Sequence, residues 1–170
     1  LRREVGMVLQ DPFIFTDSVT ENIRMRDATI TDEQVREAAE QVGADAFIQR
    51  MPQGYDTQMA ERGGNLSTGQ KQLISFARAI VADPQIFIMD EATSSIDTET
   101  EQLIQAALRT VFKGRISFVI AHRLSTIRSA DVILVINRGR IEERGTHDEL
   151  IRARGHYFEL YTSQFRRERE

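Results

Sequence analysis

The sequence predicts an α/β fold built around a parallel β-sheet. Short apolar runs alternate with helical segments along the 170 residues, as expected for strands that are joined by helical crossovers. Residues 86–89 are apolar at every position, which is typical of a strand in a parallel sheet that is covered on both faces. The length fits one domain or part of a larger one. The expected architecture is therefore a single α/β unit.

Apolar runs predict four strands, and a hairpin pattern predicts a fifth. They are expected at residues 5–9, 86–89, 116–121, 131–136 and 140–144. The last two runs flank Asn137, Arg138 and Gly139, and this arrangement predicts a hairpin. The other runs are separated by long helical segments, so we expect those strands to be parallel.

Capping boxes predict where four helices begin. In this motif a Ser or Thr side chain and the Glu or Gln three residues later satisfy each other's backbone N–H groups. The pattern occurs at Thr31 with Gln34, Ser67 with Gln70, Thr98 with Glu101, and Thr146 with Glu149. The Ser67 helix is expected to end at residue 81, because the residue before Pro84 avoids helical geometry. Further helices are expected over residues 44–50 and 157–166, and a loop over residues 55–65.

The composition narrows the function classes. Hydrophobic residues make up 41% and charged residues 28% of the chain, and the formal net charge is -4, which argues against non-specific nucleic-acid binding. The absence of cysteine excludes a disulfide framework and a thiolate metal site. The longest apolar run, residues 132–136, is far shorter than the ~20 residues that span a bilayer. Leu1 stands just before a predicted strand, so we expect a chain cut within a domain.

The helix that begins at Ser67 offers an anion site. A helix N-terminus carries about half a positive charge and has free N–H groups. Ser67 adds a hydroxyl donor, and Gly69 lacks a Cβ, so a phosphate group is able to approach the backbone closely. The same pattern also begins ordinary capped helices, so by itself it leaves both interpretations open.

Polar side chains follow three of the predicted strands. Asp90 and Glu91 follow residues 86–89, His122 follows residues 116–121, and Gln10 follows residues 5–9. Ligand crevices of open α/β sheets lie at the carboxyl ends of strands. Adjacent Asp90 and Glu91 point to opposite sides of a strand, so one is able to hold a metal while the other orients a water molecule. Taken singly, each residue is equally compatible with a solvated strand end.

Taken in order, these motifs resemble the nucleotide-binding domain of ABC transporters, from the glutamine loop to the C-terminus. Leu66-Ser67-Thr68-Gly69-Gln70 resembles the LSGGQ signature, with Thr68 in place of its first glycine. Residues 86–90 resemble the Walker B strand, and Glu91 resembles the catalytic glutamate. Ser94-Ser95-Ile96-Asp97 resembles the D-loop, and His122 the switch histidine. The resemblance implies a P-loop NTPase-like parallel sheet with an inserted helical subdomain.

The resemblance also implies ATP and Mg²⁺ as ligands and a role for each matched residue. Asp90 would bind Mg²⁺ largely through water, together with Gln10, and Glu91 would polarise the attacking water. His122 would contact the γ-phosphate, and Gln10 would sense phosphate and metal. Ser67 and Gly69 would bind the γ-phosphate of ATP held by a second domain. The full set of residues expected to bind the cofactor is Ser67, Thr68, Gly69, Gln70, Ser94 and Asp97. Such positioning and charge stabilisation account for most of the catalysis in P-loop enzymes.

Within the family, residues 11–15, 61–64 and 155–165 resemble the exporter type. The resemblance implies a transmembrane domain, a second nucleotide-binding domain in a homo- or heterodimer, and a location at the cytoplasmic face of the plasma membrane. Residues 17–82 match the helical subdomain that meets the membrane part, and residues 1–11 and 83–170 match the RecA-like core. The expected function is ATP hydrolysis that powers export, without a nucleic-acid partner.

No G-x-x-x-x-G-K-[ST] phosphate loop occurs in the 170 residues. The fold is therefore expected to be incomplete at the N-terminus, with the Walker A strand missing between residues 116–121 and 131–136, and the isolated chain is expected to be inactive. A regulatory ATP-binding half of a heterodimer is disfavoured because Glu91 and His122 are both present. A chromosome-maintenance or DNA-repair ATPase is disfavoured because the stretch from Gln10 to Leu66 is too short for a long coiled coil.

Overall fold

The computed structural model describes residues 4–9, 11–90, 98–121 and 124–167. The chain forms two compact units, Leu1–Ile120 and Ala121–Glu170. Parallel strands and helices make up the described part of the first unit, and a hairpin with helices makes up that of the second. No helix in the described ranges combines the length and the apolar character needed to cross a membrane.

The first unit contains a three-stranded parallel sheet. Its strands are β1 (Val5–Val8), β2 (Ile86–Asp90) and β3 (Ile116–Ile120), and β2 lies in the middle. Val8 pairs with Met89, and Asp90 pairs with Ile120, so the three strands end at the same edge of the sheet. These pairings confirm the predicted α/β class with a parallel sheet.

The described part of the first unit has five α-helices. They are α1 (Val19–Arg24), α2 (Asp32–Gln41), α3 (Asp45–Ile48), α4 (Thr68–Ile80) and α5 (Thr98–Phe112). The capping boxes at Thr31 and Ser67 form as predicted. The predicted capping box at Thr98 places the first helical residue at position 99, whereas α5 begins at residue 98. The predicted loop over residues 55–65 contains parts of two 3-10 turns, Gly54–Asp56 and Glu61–Gly63.

Helix α4 is the centre of the core of this unit. It packs against α1, α2, α5 and β1. Four residues in the middle of α4 are almost completely buried, namely Leu73, Ile74, Phe76 and Ala77. The helix is therefore shielded from water on several of its sides. Burial of this kind stabilises the fold by about 1.5–3 kcal/mol for each large apolar side chain. The position of the first turn of α4 is therefore set by a large packed surface.

The two faces of the sheet differ in their packing. Phe87 of β2 is fully buried and lies edge to face with Phe112 of α5, with the ring centroids 5.8 Å apart. On β3, by contrast, Ile116, Phe118 and Ile120 are 63%, 58% and 60% exposed. The predicted coverage of the sheet on both faces is therefore met on only one face within the described residues.

The second unit is built on an antiparallel hairpin of β4 (Ile133–Asn137) and β5 (Arg140–Gly145). Arg138 and Gly139 connect the strands with φ values of 46° and 75°. Positive φ at both central residues matches the twist of the strands in a type I′ turn. The predicted hairpin is confirmed, with an irregularity in register between Val135 and Ile136.

Three helices belong to the described part of the second unit, α6 (Leu124–Arg128), α7 (His147–Ala153) and α8 (His156–Arg167). The predicted box at Thr146 begins α7. Glu143 of β5 accepts hydrogen bonds from the backbone N–H groups of His156 at 2.6 Å and Tyr157 at 3.0 Å. A Cβ at Gly155 would overlap the carboxylate of Glu143, so a glycine is needed for this close approach.

Candidate functional site

The first turn of α4 is held by a complete capping box. Ser67 Oγ accepts a hydrogen bond from the backbone N–H of Gln70 at 3.2 Å, and the side-chain oxygen of Gln70 accepts one from the backbone N–H of Ser67 at 3.0 Å. The Ser67 hydroxyl acts as an acceptor in this box, so its own proton remains able to be donated to a ligand. Ser67 is exposed, and the turn therefore presents an ordered donor group at the surface.

The two residues after Ser67 have opposite environments. Thr68 is exposed at the first helical position, so the residue that departs from the signature pattern extends into solvent. Gly69 is buried, and a Cβ built on it would overlap Cγ2 of Thr100 on α5. The sequence predicts that the missing Cβ of Gly69 brings a phosphate close to the backbone. In the structure the missing Cβ lets α4 pack against α5.

Asp90 lies at the carboxyl edge of the sheet, where a ligand crevice was expected. It is the last residue of β2 and is half-buried, and its backbone pairs with that of Ile120. No hydrogen bond or ion pair joins its carboxylate to another residue within the described ranges. A carboxylate open to water on a rigid strand suits Mg²⁺, which prefers oxygen ligands and keeps several water molecules.

Five predicted site residues, Gln10, Glu91, Ser94, Asp97 and His122, lie outside the described residues. Their roles stay predictions. The signature residues lie together on the first turn of α4, and Asp90 lies on a separate element of the same unit.

Arg78 of α4 is a half-buried cation that is not among the predicted site residues. Its Nε and Nη1 atoms donate to the backbone oxygens of Asn22 and Phe13, each at 2.7 Å. Burial lowers the pKa of Arg78 to about 10, so the side chain is still charged at neutral pH. The available signal in the sequence was its position four residues after Ile74 and three before Val81, which places it on the same face of the helix as these apolar residues.

Asn22 of α1 is the buried partner of Arg78 and closes the turn that precedes α1. Its Oδ1 accepts from the backbone N–H of Phe15 at 2.8 Å, and its Nδ2 donates to the carbonyls of Phe15 and Ser18, each at 3.0 Å. The rings of Phe13 and Phe15 lie edge to face, with centroids 4.8 Å apart, and both are exposed. The Asn22 contacts thus fix the backbone at Phe15, whose exposed ring packs against that of Phe13.

Comparisons with known proteins identify the family. Residues 1–94 match the family model described as ABC transporter. The chain is 50% identical over 164 residues to a Bacillus subtilis protein named "Probable multidrug resistance ABC transporter ATP-binding/permease protein". This match covers 96% of the present chain and 24% of the Bacillus subtilis protein. The chain is 54% identical over 165 residues to an "Uncharacterized ABC transporter ATP-binding protein" of the same species, covering 97% of this chain and 27% of that protein.

A solved structure gives the same result. The chain matches the "Structure of a bacterial Atm1-family ABC exporter with ATP bound" with a TM-score of 0.85 and 43% sequence identity, over 96% of this chain and 28% of that one. The chain therefore belongs to the ABC transporter family, and its fold matches part of an ABC exporter, which confirms the predicted resemblance. It spans about a quarter of the length of these curated relatives.

Proposed function

We propose that this chain is part of the nucleotide-binding domain of an ABC exporter and contributes to ATP binding and hydrolysis. The observation that carries the proposal is the complete capping box of Ser67 and Gln70 at the start of a signature helix. The chain also has the Asp90 carboxylate at the carboxyl edge of a parallel sheet. The names of its relatives, which include ATP-binding and export functions, support the transfer of this activity.

Asp90 is the residue that we assign to Mg²⁺. Its oxygen atoms, its half-buried position and the pairing of β2 on both sides make it a rigid acceptor. The chemistry that Mg²⁺ would supply at Asp90 is neutralisation of the negative charge that develops during phosphoryl transfer. Gln10 would contribute a further oxygen and sense whether phosphate and metal are present.

Glu91 is the residue that we assign to the attacking water. A carboxylate next to Asp90 is able to polarise a water molecule without competing for the metal, because neighbouring side chains of a strand project to opposite sides. His122 would stabilise the γ-phosphate. The presence of both residues in the sequence favours a hydrolysing domain over a regulatory half that holds ATP without cleaving it.

The first turn of α4 would bind the γ-phosphate of ATP held by a second nucleotide-binding domain. The Ser67 hydroxyl, the unpaired first-turn N–H groups and the positive end of the helix dipole all favour an anion at this place. Thr68 is exposed and would face an incoming partner, whereas Gln70 keeps the turn closed. Ser94 and Asp97 of the D-loop motif would complete the contact between the two domains.

The partners that we propose are a second nucleotide-binding domain, in a homo- or heterodimer, and a transmembrane domain of the same or a partner polypeptide. The word permease in the name of one relative supports the second partner. Residues 17–82 would form the helical subdomain that meets the membrane part, at the cytoplasmic face of the plasma membrane. Residues 1–11 and 83–170 would belong to the RecA-like core.

The proposal is tested by Glu91→Gln in the whole transporter that contains this chain. The amide keeps the shape of the side chain but is a poor proton acceptor, so ATP should still bind while turnover falls by about 10²–10⁴-fold. Glu159→Gln at an exposed position of α8 is the matched control, and it should keep the parental rate. A Glu91→Gln variant that hydrolyses ATP at half the parental rate would show that Glu91 is not the base.

A further inference from the structure

Helices α4 and α5 pack against each other, and each carries a row of inward residues at a spacing of four. The rows are Gly69, Leu73 and Ala77 on α4, and Thr100, Ile104 and Leu108 on α5. Apart from the two first members, these residues are at most 3% exposed. Rows at this spacing form the ridges by which helices pack on one another. Gly69 and Thr100 are the members nearest the helix starts, where the proposed phosphate contacts lie.

The contact between Gly69 and Thr100 is steric. A Cβ built on Gly69 would overlap Cγ2 of Thr100 and would lie 3.4 Å from its Cβ and 3.8 Å from its Oγ1. The methyl group of Thr100 therefore occupies the volume that any side chain at position 69 would need. Threonine in a helix is divided between two χ1 rotamers, so the methyl group makes room only if Thr100 leaves the rotamer that it has in the structure.

We propose that Thr100 is a positioning residue for the first turn of α4. Its methyl group rests on the backbone of Gly69 and sets the spacing between this turn and α5, and thereby the place of the Ser67 hydroxyl and the first-turn N–H groups. The inference rests on the proposed function, in which this turn binds a γ-phosphate. The glycine at position 69 is then required by the packing of α4 on Thr100.

The geometry predicts what a side chain at position 69 does. In Gly69→Ala the new methyl group and the methyl group of Thr100 would compete for one volume, so the turn moves away from α5 or Thr100 leaves its rotamer. A displacement on the order of 1 Å at a group that positions the reacting atoms lowers rates by up to roughly 100-fold. Removing the methyl group of Thr100 relieves the overlap and leaves the Ser67 box unchanged.

The test is the effect of Gly69→Ala in three backgrounds of the whole transporter: the parental Thr100, Thr100→Ser and Thr100→Val. Serine lacks the Cγ2 methyl group, and valine carries two γ-methyl groups and is the control for loss of the hydroxyl. We measure kcat and KM for Mg-ATP at a temperature where all variants are folded, and the melting temperature in parallel. The quantity compared is the ratio of kcat between glycine and alanine at position 69.

We expect Gly69→Ala to lower kcat by roughly 10- to 100-fold when residue 100 is the parental threonine. This decrease in kcat should be smallest in the Thr100→Ser background and largest in the Thr100→Val background. Equal ratios in the three backgrounds, in an active transporter, would overturn the inference alone. The inference would also be overturned if Gly69→Ala left kcat unchanged and lowered only the melting temperature, because a purely structural contact behaves in this way. A parental transporter without ATPase activity would overturn the proposed function together with the inference.

Discussion

Arg78 donates hydrogen bonds to both the backbone and the side chain of Asn22, which lies 56 residues earlier in the chain. The Nε to carbonyl oxygen distance is 2.7 Å, and the Nη2 to Oδ1 distance is 3.2 Å. Asn22 Oδ1 also accepts from the backbone N–H of Phe15. The hydrogen bonds of this pair therefore join three parts of the chain, which are α4, α1 and the segment after β1.

The first prediction concerns this pair. Arg78→Met keeps much of the side-chain length and removes every donor, so the carbonyls of Asn22 and Phe13 lose their Arg78 partner. We expect the free energy of unfolding to fall by about 2–4 kcal/mol, measured by urea denaturation of the purified domain.

The matched control is Arg109→Met on the exposed face of α5, which should change stability by less than about 0.5 kcal/mol. Equal losses for the two variants would mean that the hydrogen bonds of Arg78 do not stabilise the fold.

The second prediction separates helix capping from ligand binding. Ser67→Ala and Thr146→Ala each remove the acceptor of a complete capping box, in α4 and α7 respectively. Each should lower stability by ~1 kcal/mol. ATP turnover of the whole transporter should fall only for Ser67→Ala, because its hydroxyl would also donate to phosphate. A similar fall for Thr146→Ala would assign the effect to lost stability.

The third prediction is that the signature turn acts on ATP held by the partner domain. A mixed dimer carries Gly69→Asp in one subunit and a disabled phosphate loop either in the same subunit or in the other. If each site combines the loop of one subunit with the signature turn of the other, defects in opposite subunits spare one site, and defects in one subunit damage both. The ATPase rate should therefore be higher when the two defects lie in opposite subunits than when they lie in the same subunit. Equal rates in the two arrangements would contradict this model.

The fourth prediction concerns the 170-residue chain by itself. Its sequence contains no G-x-x-x-x-G-K-[ST] motif, whose N–H groups and lysine supply most phosphate contacts in P-loop enzymes. We expect no tight binding of Mg-ATP by this chain in isothermal titration calorimetry. The whole transporter under the same conditions is the positive control. A micromolar dissociation constant for the isolated chain would show that the described surfaces bind ATP without that loop.

Local signals explain why much of the fold was predictable. The predicted capping boxes at Thr31, Ser67 and Thr146 form, because both partners of a box lie within one turn of the chain. Helix α1 was missed because its six residues are too few to show a helical period, although Ser18 caps it through the N–H of Glu21.

The parts of the site that were missed depend on residues far apart in the sequence. Nothing near Gly69 indicates that Thr100 fills the space beside it, and nothing near Arg78 indicates that Asn22 is its partner. The predicted reason for Gly69 was a ligand, whereas the structure supplies a packing reason. Such pairings arise only when α4 has docked on its neighbours, so sequence patterns within one element do not contain them.

Glu143 has a consequence for the dynamics of the second unit. Because this carboxylate of β5 holds the first backbone N–H groups of α8, opening the hairpin removes the hydrogen-bond acceptor on which the start of that helix depends. Strand and helix should then open together as one cooperative segment. Amide hydrogens of β5 and of the first turn of α8 would exchange with solvent at linked rates, whereas the interior of α7, which begins with its own Thr146 box, would follow a separate opening.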